Sequence, residues 1–89
     1  MAQTAKVTVY TTAWCGYCAA AKRLLKSKDV DFEEIAVDGN AEMRADIAAR
    51  SGRHTVPQIF IGEQPVGGYD DIAALNKSGE LERLLGLAG

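Results

Sequence analysis

The sequence has little net charge and no long apolar run. Ten Lys and Arg residues stand against twelve Asp and Glu, which gives a formal net charge of -2 at pH 7. This balance disfavours nucleic acid as a partner, because little positive charge is available to attract a phosphate backbone. Residues 1–6 lack the apolar stretch of a signal peptide or a membrane span. We therefore expect a cytoplasmic protein that binds neither nucleic acid nor membranes.

The chain is also short. Its 89 residues leave no room for a second hydrophobic core, so we expect a single domain over residues 1–89. Hydrophobic residues make up 47% of the sequence and charged residues 25%, which is typical of an ordinary folded globule. We expect this domain to fold without a partner chain and to be a monomer.

Cysteine and histidine are scarce. The chain has two cysteines, Cys15 and Cys18, and one histidine, His54, which we expect at the surface. A tetrahedral zinc site needs four ligands, so a zinc site within one chain is disfavoured. A structural disulfide would close so small a loop that it removes little unfolded-state entropy, and it would mostly be reduced in the cytoplasm. Two inert core cysteines are a third alternative, but the flanking Trp14, Gly16 and Tyr17 indicate a loop and a helix start rather than a buried strand. A redox-active dithiol is the reading we favour.

Hydrophobic periodicity predicts an alternation of strands and helices, with the order β-α-β-α-β-β-α of an α/β fold. The first strand, helix and strand form a unit whose two strands should be parallel. Gly62 has the freedom that a two-residue hairpin turn requires. The final helical segment has a break signal at Ser78 and Gly79. The expected strands are residues 6–11, 31–37, 58–61 and 64–67, and the first two helices are residues 15–28 and 41–50.

The two cysteines occupy unequal positions in this scheme. Cys15 begins the first helix, where unpaired backbone N–H groups and the helix dipole favour a thiolate over a thiol. Cys18 lies one turn further on, at a position that faces inward, and should keep its proton longer. We therefore expect Cys15 to be the attacking nucleophile and Cys18 to resolve the mixed disulfide that Cys15 forms.

Three motifs in a fixed order give the chain a family resemblance. They are Cys15-Gly16-Tyr17-Cys18, Thr55-Val56-Pro57 ahead of the hairpin, and Gly67-Gly68-Tyr69-Asp70-Asp71 after it. With these motifs the chain resembles the glutaredoxins, and most of all the small bacterial dithiol kind, from about Lys6 to Leu85. The resemblance implies a thioredoxin fold, in which helices flank a four-stranded mixed sheet.

The resemblance also implies an activity. Glutaredoxins are thiol-disulfide oxidoreductases that use glutathione as co-substrate, and they reduce both protein disulfides and protein–glutathione mixed disulfides. On this reading the catalytic residues are Cys15 and Cys18. The partners are glutathione and the client proteins that carry the disulfide.

A glutathione site follows from the same resemblance. Val56-Pro57 would be a cis peptide beside Cys15, so that the Val56 backbone pairs with the extended glutathione like an added strand. The N–H groups at the start of the third helix would bind the γ-glutamyl carboxylate, and Asp70 would hold its ammonium or act as a plain helix cap. The implied glutathione-binding residues are Tyr17, Arg53, Thr55, Val56, Pro57, Gly68, Tyr69 and Asp70, of which Arg53 would attract the glycine carboxylate.

Three positions depart from the family pattern. Thr12 stands where many members have a lysine, which removes a cation near the thiolate. Gly16 replaces the more familiar proline and leaves the loop less rigid. This glycine motivates an alternative function, a dimer that holds a [2Fe–2S] cluster through Cys15 and two glutathiones. Trp14 is also unusual. It could cover the dithiol or pack against a neighbouring loop, and we expect it to pack against the loop.

Overall fold

The computed structural model describes residues 5–86, in which a four-stranded sheet carries four helices. The predicted order of seven elements is confirmed, and an eighth element follows them. Gly79, with φ of +83°, ends the third helix, so the predicted break produces a separate last helix. The elements are β1 Val7–Thr11, α1 Gly16–Ser27, β2 Glu33–Ala36, α2 Ala41–Ser51, β3 Gln58–Ile61, β4 Gln64–Gly67, α3 Tyr69–Ser78 and α4 Glu80–Leu85.

The strands form one mixed sheet in the order β2-β1-β3-β4. β1 and β2 are parallel, as predicted for a strand–helix–strand unit, and the other two neighbouring pairs are antiparallel. Gly62 has φ of +62° and starts the two-residue turn between β3 and β4. This arrangement is the thioredoxin fold that the resemblance implied.

The hydrophobic core lies on both faces of the sheet. Side chains alternate between the two faces along β3, so Ile59 and Ile61 belong to the core on one face and Phe60 to the core on the other. Helices α1, α3 and α4 pack on the Ile59 face, through buried residues that include Leu25 and Ile72. Helix α2 packs on the Phe60 face through Ile47. The central strands are therefore covered on both sides. This packing fixes the C-terminal end of β1 and the start of α1, between which Cys15 lies.

The second strand is shorter than predicted. It covers Glu33–Ala36 rather than residues 31–37, and its side chains are largely exposed because β2 is an edge strand. Val37 continues the contact with β1 through one hydrogen bond, from its N–H to the Thr11 carbonyl at 2.8 Å. In residues 5–86, no helix combines the length and the apolar character needed to cross a membrane.

Candidate active site

The two cysteines lie where β1 passes into α1. Cys15 is the N-cap of α1, with an extended backbone, and its Sγ accepts a hydrogen bond of 3.1 Å from the Cys18 N–H. The two sulfurs are joined as a disulfide. Cys18 is 2% exposed and faces the core, whereas Cys15 is partly exposed. The helix start therefore gives the two residues the unequal access that their spacing predicts.

A cis peptide between Val56 and Pro57 stands next to Cys15. The Val56 carbonyl oxygen is 3.9 Å from the Cys15 Sγ. The cis bond is the one that the family resemblance predicted. It places the Val56 backbone beside the accessible sulfur, at the end of the loop that leads into β3.

A groove with a volume of about 300 Å³ begins at this peptide and continues to the start of α3. We call it the Val56 groove. The Tyr17 and Tyr69 rings stack in it with centroids 6.3 Å apart. It is lined by all eight residues that the resemblance implied for glutathione, and by one more: Tyr17, Arg53, Thr55, Val56, Pro57, Gly68, Tyr69, Asp70 and Asp71.

Asp71 is the lining residue that the sequence reasoning missed. Its carboxylate accepts a 2.9 Å hydrogen bond from the Gly68 N–H, and Arg53 donates to it at 2.7 Å and 3.3 Å. Helix α3 begins at Tyr69, and Gly68 is its N-cap. The carboxylate that accepts from the N-cap N–H therefore belongs to Asp71, three residues after Gly68. The cap alternative for Asp70 is therefore wrong. The spacing from Gly68 to Asp71 was the signal that could have identified it.

Arg53 joins the two walls of the Val56 groove. It precedes the Thr55–Pro57 loop in the chain, and its bidentate pair with Asp71 ties that loop to α3. A guanidinium has five N–H donors, so the remaining donors are available to a ligand carboxylate. The assignment of Arg53 to the glycine carboxylate of glutathione stays a prediction. His54, next to it, is exposed, as the sequence predicted.

The Asp71 carboxylate should make stability depend on pH. The Arg53 guanidinium and the Gly68 N–H lower the pKa of Asp71. Because the pKa of Asp71 is lowered in the folded state, its carboxylate stabilises the fold at pH values above the ordinary Asp pKa of about 3.9. This stabilisation is lost as the pH falls through the pKa of Asp71 in the folded protein. Because the pair is partly exposed, we expect no more than about 1 kcal/mol. Urea unfolding at neutral and at acidic pH should show that the free energy of unfolding falls less on acidification in Asp71→Asn than in the wild type. Asp70→Asn is the control and should follow the wild type, and equal losses in all three proteins would contradict the role of Asp71.

Trp14 does not pack as predicted. Its side chain is fully exposed, at 103% of the reference area, and its backbone has φ of +59°. The residue lies in the turn between β1 and α1, and this left-handed conformation sends the side chain into solvent rather than against a loop. The expectation that Trp14 packs against a neighbouring loop is therefore wrong.

Comparison with known proteins decides the family. A family model described as glutaredoxin matches residues 7–66. The chain belongs to the glutaredoxin family. This glutaredoxin is 58% identical over 79 residues to a glutaredoxin of Pseudomonas aeruginosa, covering 89% of this chain and 94% of the relative. It is 53% identical over 81 residues to glutaredoxin 3 of Escherichia coli K12, covering 91% and 98% of the two chains.

A solved structure supports the same assignment. The glutaredoxin–glutathione complex from buckwheat matches with a TM-score of 0.84 at 27% identity, over 93% of this chain and 78% of the buckwheat chain. The thioredoxin fold and the dithiol identify this glutaredoxin as a thiol-disulfide oxidoreductase whose redox-active pair is Cys15 and Cys18.

Proposed function

We propose that this glutaredoxin uses glutathione as its electron donor to reduce protein disulfides and protein–glutathione mixed disulfides. The observation that carries the proposal is the position of the Val56 groove, which begins at the peptide 3.9 Å from the Cys15 Sγ. A tripeptide bound along that groove would have its sulfur beside Cys15. We propose the cytoplasm as the site of action, because the glutathione pool there is reducing.

The groove offers groups that suit the ends of glutathione. The first N–H groups of α3 have no partner within the helix and favour a carboxylate. Asp70 is exposed at the second position of α3 and can pair with the adjacent ammonium. The Val56 backbone can pair with the extended peptide, and Arg53 can take the second carboxylate. The structure of the buckwheat glutaredoxin, whose fold matches this one, is that of a complex with glutathione.

With a glutathionylated client, the reaction needs one cysteine. The Cys15 thiolate attacks the glutathione sulfur, a Cys15–glutathione disulfide forms, and the client thiolate leaves. A second glutathione thiolate then attacks the glutathione sulfur, which releases oxidised glutathione and restores the Cys15 thiolate. The partly exposed position of Cys15 permits both attacks.

With a disulfide in a client protein, both cysteines take part. The Cys15 thiolate attacks one client sulfur, and Cys18 then attacks the Cys15 sulfur. The client leaves with two thiols, and the enzyme keeps the Cys15–Cys18 disulfide that the structure shows. Two glutathiones supply the two electrons that reopen it, and they leave as oxidised glutathione.

The donor assignment is tested by turnover of a small glutathione mixed disulfide, such as that of cysteamine, in the presence and absence of glutathione. Turnover that rises and saturates with glutathione is the expected result. Turnover that is independent of glutathione, sustained by another reductant alone, would overturn the assignment.

Replacement of Asp70 by alanine should weaken glutathione use without unfolding the protein. The loss of one charged hydrogen bond should raise the KM for glutathione by about tenfold, with a smaller effect on kcat. Stability should change by no more than about 0.5 kcal/mol, because Asp71 rather than Asp70 closes the helix start. Steady-state kinetics and urea unfolding measure the two effects. Glu63→Ala, which removes an exposed carboxylate from the hairpin turn, is the matched control. A KM unchanged in Asp70→Ala would remove this residue from the glutathione site.

The alternative function, a dimer with a [2Fe–2S] cluster, stays a prediction. In the part of the chain that the structure describes, no three side chains of the types His, Cys, Asp and Glu are grouped closely enough to hold a metal. In this alternative each subunit contributes Cys15, and two glutathiones complete the ligand set. Anaerobic purification followed by an absorption spectrum and size-exclusion chromatography separates the two functions, because a coloured, glutathione-dependent dimer is expected only for the alternative.

A further inference from the structure

Trp14 is fully exposed in the turn between β1 and α1. It is the only tryptophan of the protein, and its side chain lies entirely in solvent. A single exposed apolar residue is common and means little by itself. Trp14 differs because its backbone is left-handed, with φ of +59°, a conformation that costs a residue with a side chain about 1–2 kcal/mol. Such a cost points to a role outside the fold.

The turn that carries Trp14 is held in place by the end of β2. The Ala13 N–H donates to both carboxylate oxygens of Asp38, at 3.0 Å and 3.1 Å. Just before Asp38, the Val37 N–H donates to the Thr11 carbonyl at 2.8 Å. The chain on the N-terminal side of Trp14 is thus hydrogen-bonded to the two residues that follow β2, and Cys15 on its other side is the N-cap of α1. The indole is presented on a supported turn rather than on a loose loop.

A second groove, of about 590 Å³, lies beside this turn. We call it the Trp14 groove. It lies on the β2 side of β1, whereas the Val56 groove lies on the β3 side. Cys15 lines the Trp14 groove, and its Sγ is 3.9 Å from the Val56 carbonyl oxygen, where the Val56 groove begins. A reaction partner in the Trp14 groove and glutathione in the Val56 groove would both reach the same sulfur. The lining includes Thr12, Trp14, Cys15, Lys22, Glu34 and Asp38.

The charges of the Trp14 groove favour a basic partner. Lys22 pairs with Glu34 at 3.0 Å, and the buried Thr11 hydroxyl donates to the same carboxylate at 2.8 Å. These contacts lower the pKa of Glu34, so the ion pair is formed at neutral pH and has no net charge. The Asp38 carboxylate accepts from the Ala13 N–H, and none of the salt bridges within residues 5–86 includes it. The lining residues Lys22, Glu34 and Asp38 therefore carry one positive and two negative charges. The groove thus combines an exposed indole with one excess negative charge.

We propose that the Trp14 groove binds an extended, basic segment of the client protein next to the cysteine that is reduced. In this complex, a Lys or Arg side chain lies along the Trp14 indole and its charge faces Asp38. When the client carries its own disulfide, the attacked client sulfur lies at Cys15 and the Val56 groove stays free for glutathione. When the client is glutathionylated, the glutathione half lies in the Val56 groove with its sulfur at Cys15, and the client thiolate leaves on the side of the Trp14 groove. This inference rests on the proposed function, because it assigns the protein half of the substrate to one groove and the glutathione half to the other.

Three glutathionylated peptides test the selectivity. Each peptide has a single glutathionylated cysteine, which is flanked by two Arg in the first peptide, two Ser in the second and two Glu in the third. The cysteamine–glutathione disulfide is the small substrate for comparison. The wild type should reduce the Arg peptide with a kcat/KM about tenfold or more above that of the Glu peptide. Trp14→Asn should lose most of this preference and keep turnover of the small disulfide within about twofold, since Asn tolerates the left-handed backbone and Trp14 takes no part in the exchange. Trp14→Phe, which keeps an aromatic face, should retain part of the preference.

Asp38 gives an independent test of the charge. Asp38→Asn keeps an oxygen that can accept from the Ala13 N–H but removes the negative charge. This variant should lower the preference for the Arg peptide over the Ser peptide while the small disulfide is reduced as before. Glu63→Gln, which removes one exposed negative charge in the turn between β3 and β4, is the matched control and should behave as the wild type.

The fluorescence of Trp14 tests contact directly, because no other tryptophan contributes. In Cys18→Ser, Cys15 can be joined to the Arg peptide activated as a pyridyl disulfide; the thiolate forms the new disulfide and pyridinethione leaves. The emission should shift to the blue and become less accessible to acrylamide, whereas glutathione attached in the same way should leave it unchanged. An unmoved emission with the Arg peptide, an unchanged peptide preference in Trp14→Asn, or a loss of small-disulfide turnover in that variant would overturn the docking surface. The glutathione dependence of the small disulfide reports separately on the proposed function.

Discussion

Cys15→Ser should abolish all disulfide exchange by this protein, whereas Cys18→Ser should abolish only the dithiol route. Cys15 caps α1 and is partly exposed, and the Cys18 N–H that donates to its Sγ in the disulfide is placed to donate to the thiolate once the disulfide is reduced. Removal of a nucleophile costs roughly a thousandfold or more in kcat/KM. In Cys18→Ser the backbone N–H remains, so the attack by Cys15 should survive.

Two substrates measure this division. The cysteamine–glutathione disulfide needs one cysteine, and Cys18→Ser should reduce it at a rate within about tenfold of the wild type. A protein disulfide such as that of insulin needs both cysteines, and either variant should fail with it. The expected split depends on Cys18 being 2% exposed and reached only through the Cys15 sulfur. Equal losses on the small substrate from both changes would contradict the assignment of the two roles.

Gly67→Ala should destabilise the protein and damage the Val56 groove together. Gly67 is buried and has φ of +107°, where a side chain is strained. A Cβ at this position would stand 2.6 Å from the Cγ of Asp71, far inside contact distance. The Asp71 carboxylate would have to leave Gly68 and Arg53. We expect a loss of about 3 kcal/mol in the free energy of unfolding, and a raised KM for glutathione in whatever folds.

Urea unfolding measures this loss, and Gly16→Ala is the control. Gly16 is exposed, lies in the first turn of α1 with ordinary backbone angles, and has no atom within 4 Å of an added Cβ. Alanine is also the better helix former, so stability should stay the same or rise slightly. A Gly67→Ala protein as stable as Gly16→Ala would show that Asp71 can move away at no cost.

Local sequence patterns predicted most elements of the fold, because the core is built from regular periods. The hairpin of residues 58–67 is predicted to the residue, since its turn needs a glycine and Gly62 supplies it. The start of β2 is less well predicted. Phe32 carries the apolar signal of a strand, yet only Glu33–Ala36 pairs with β1, and an edge strand has fewer partners to define its ends.

The active site also has parts that the sequence predicted and parts that it did not. The chemistry of Cys15 and Cys18 could be derived from spacing, because a cysteine at a helix start has a distinct electrostatic environment. The residues implied for glutathione depended on the family resemblance, and the structure brings all eight of them to one groove. The pairing of Arg53 with Asp71 and the exposure of Trp14 were not foreseen. Both depend on contacts or dihedral angles that a one-dimensional period does not encode.

The bridge between Arg53 and Asp71 has a thermodynamic consequence for whatever enters the Val56 groove. It joins the loop before β3 to the first turn of α3, so the two walls are connected to each other without the help of a ligand. A ligand therefore loses little binding free energy to ordering the receptor, and its own flexibility becomes the main entropic cost of association. Calorimetry should record this as a less favourable entropy of glutathione binding once the bridge is removed, even where new contacts leave the affinity nearly the same.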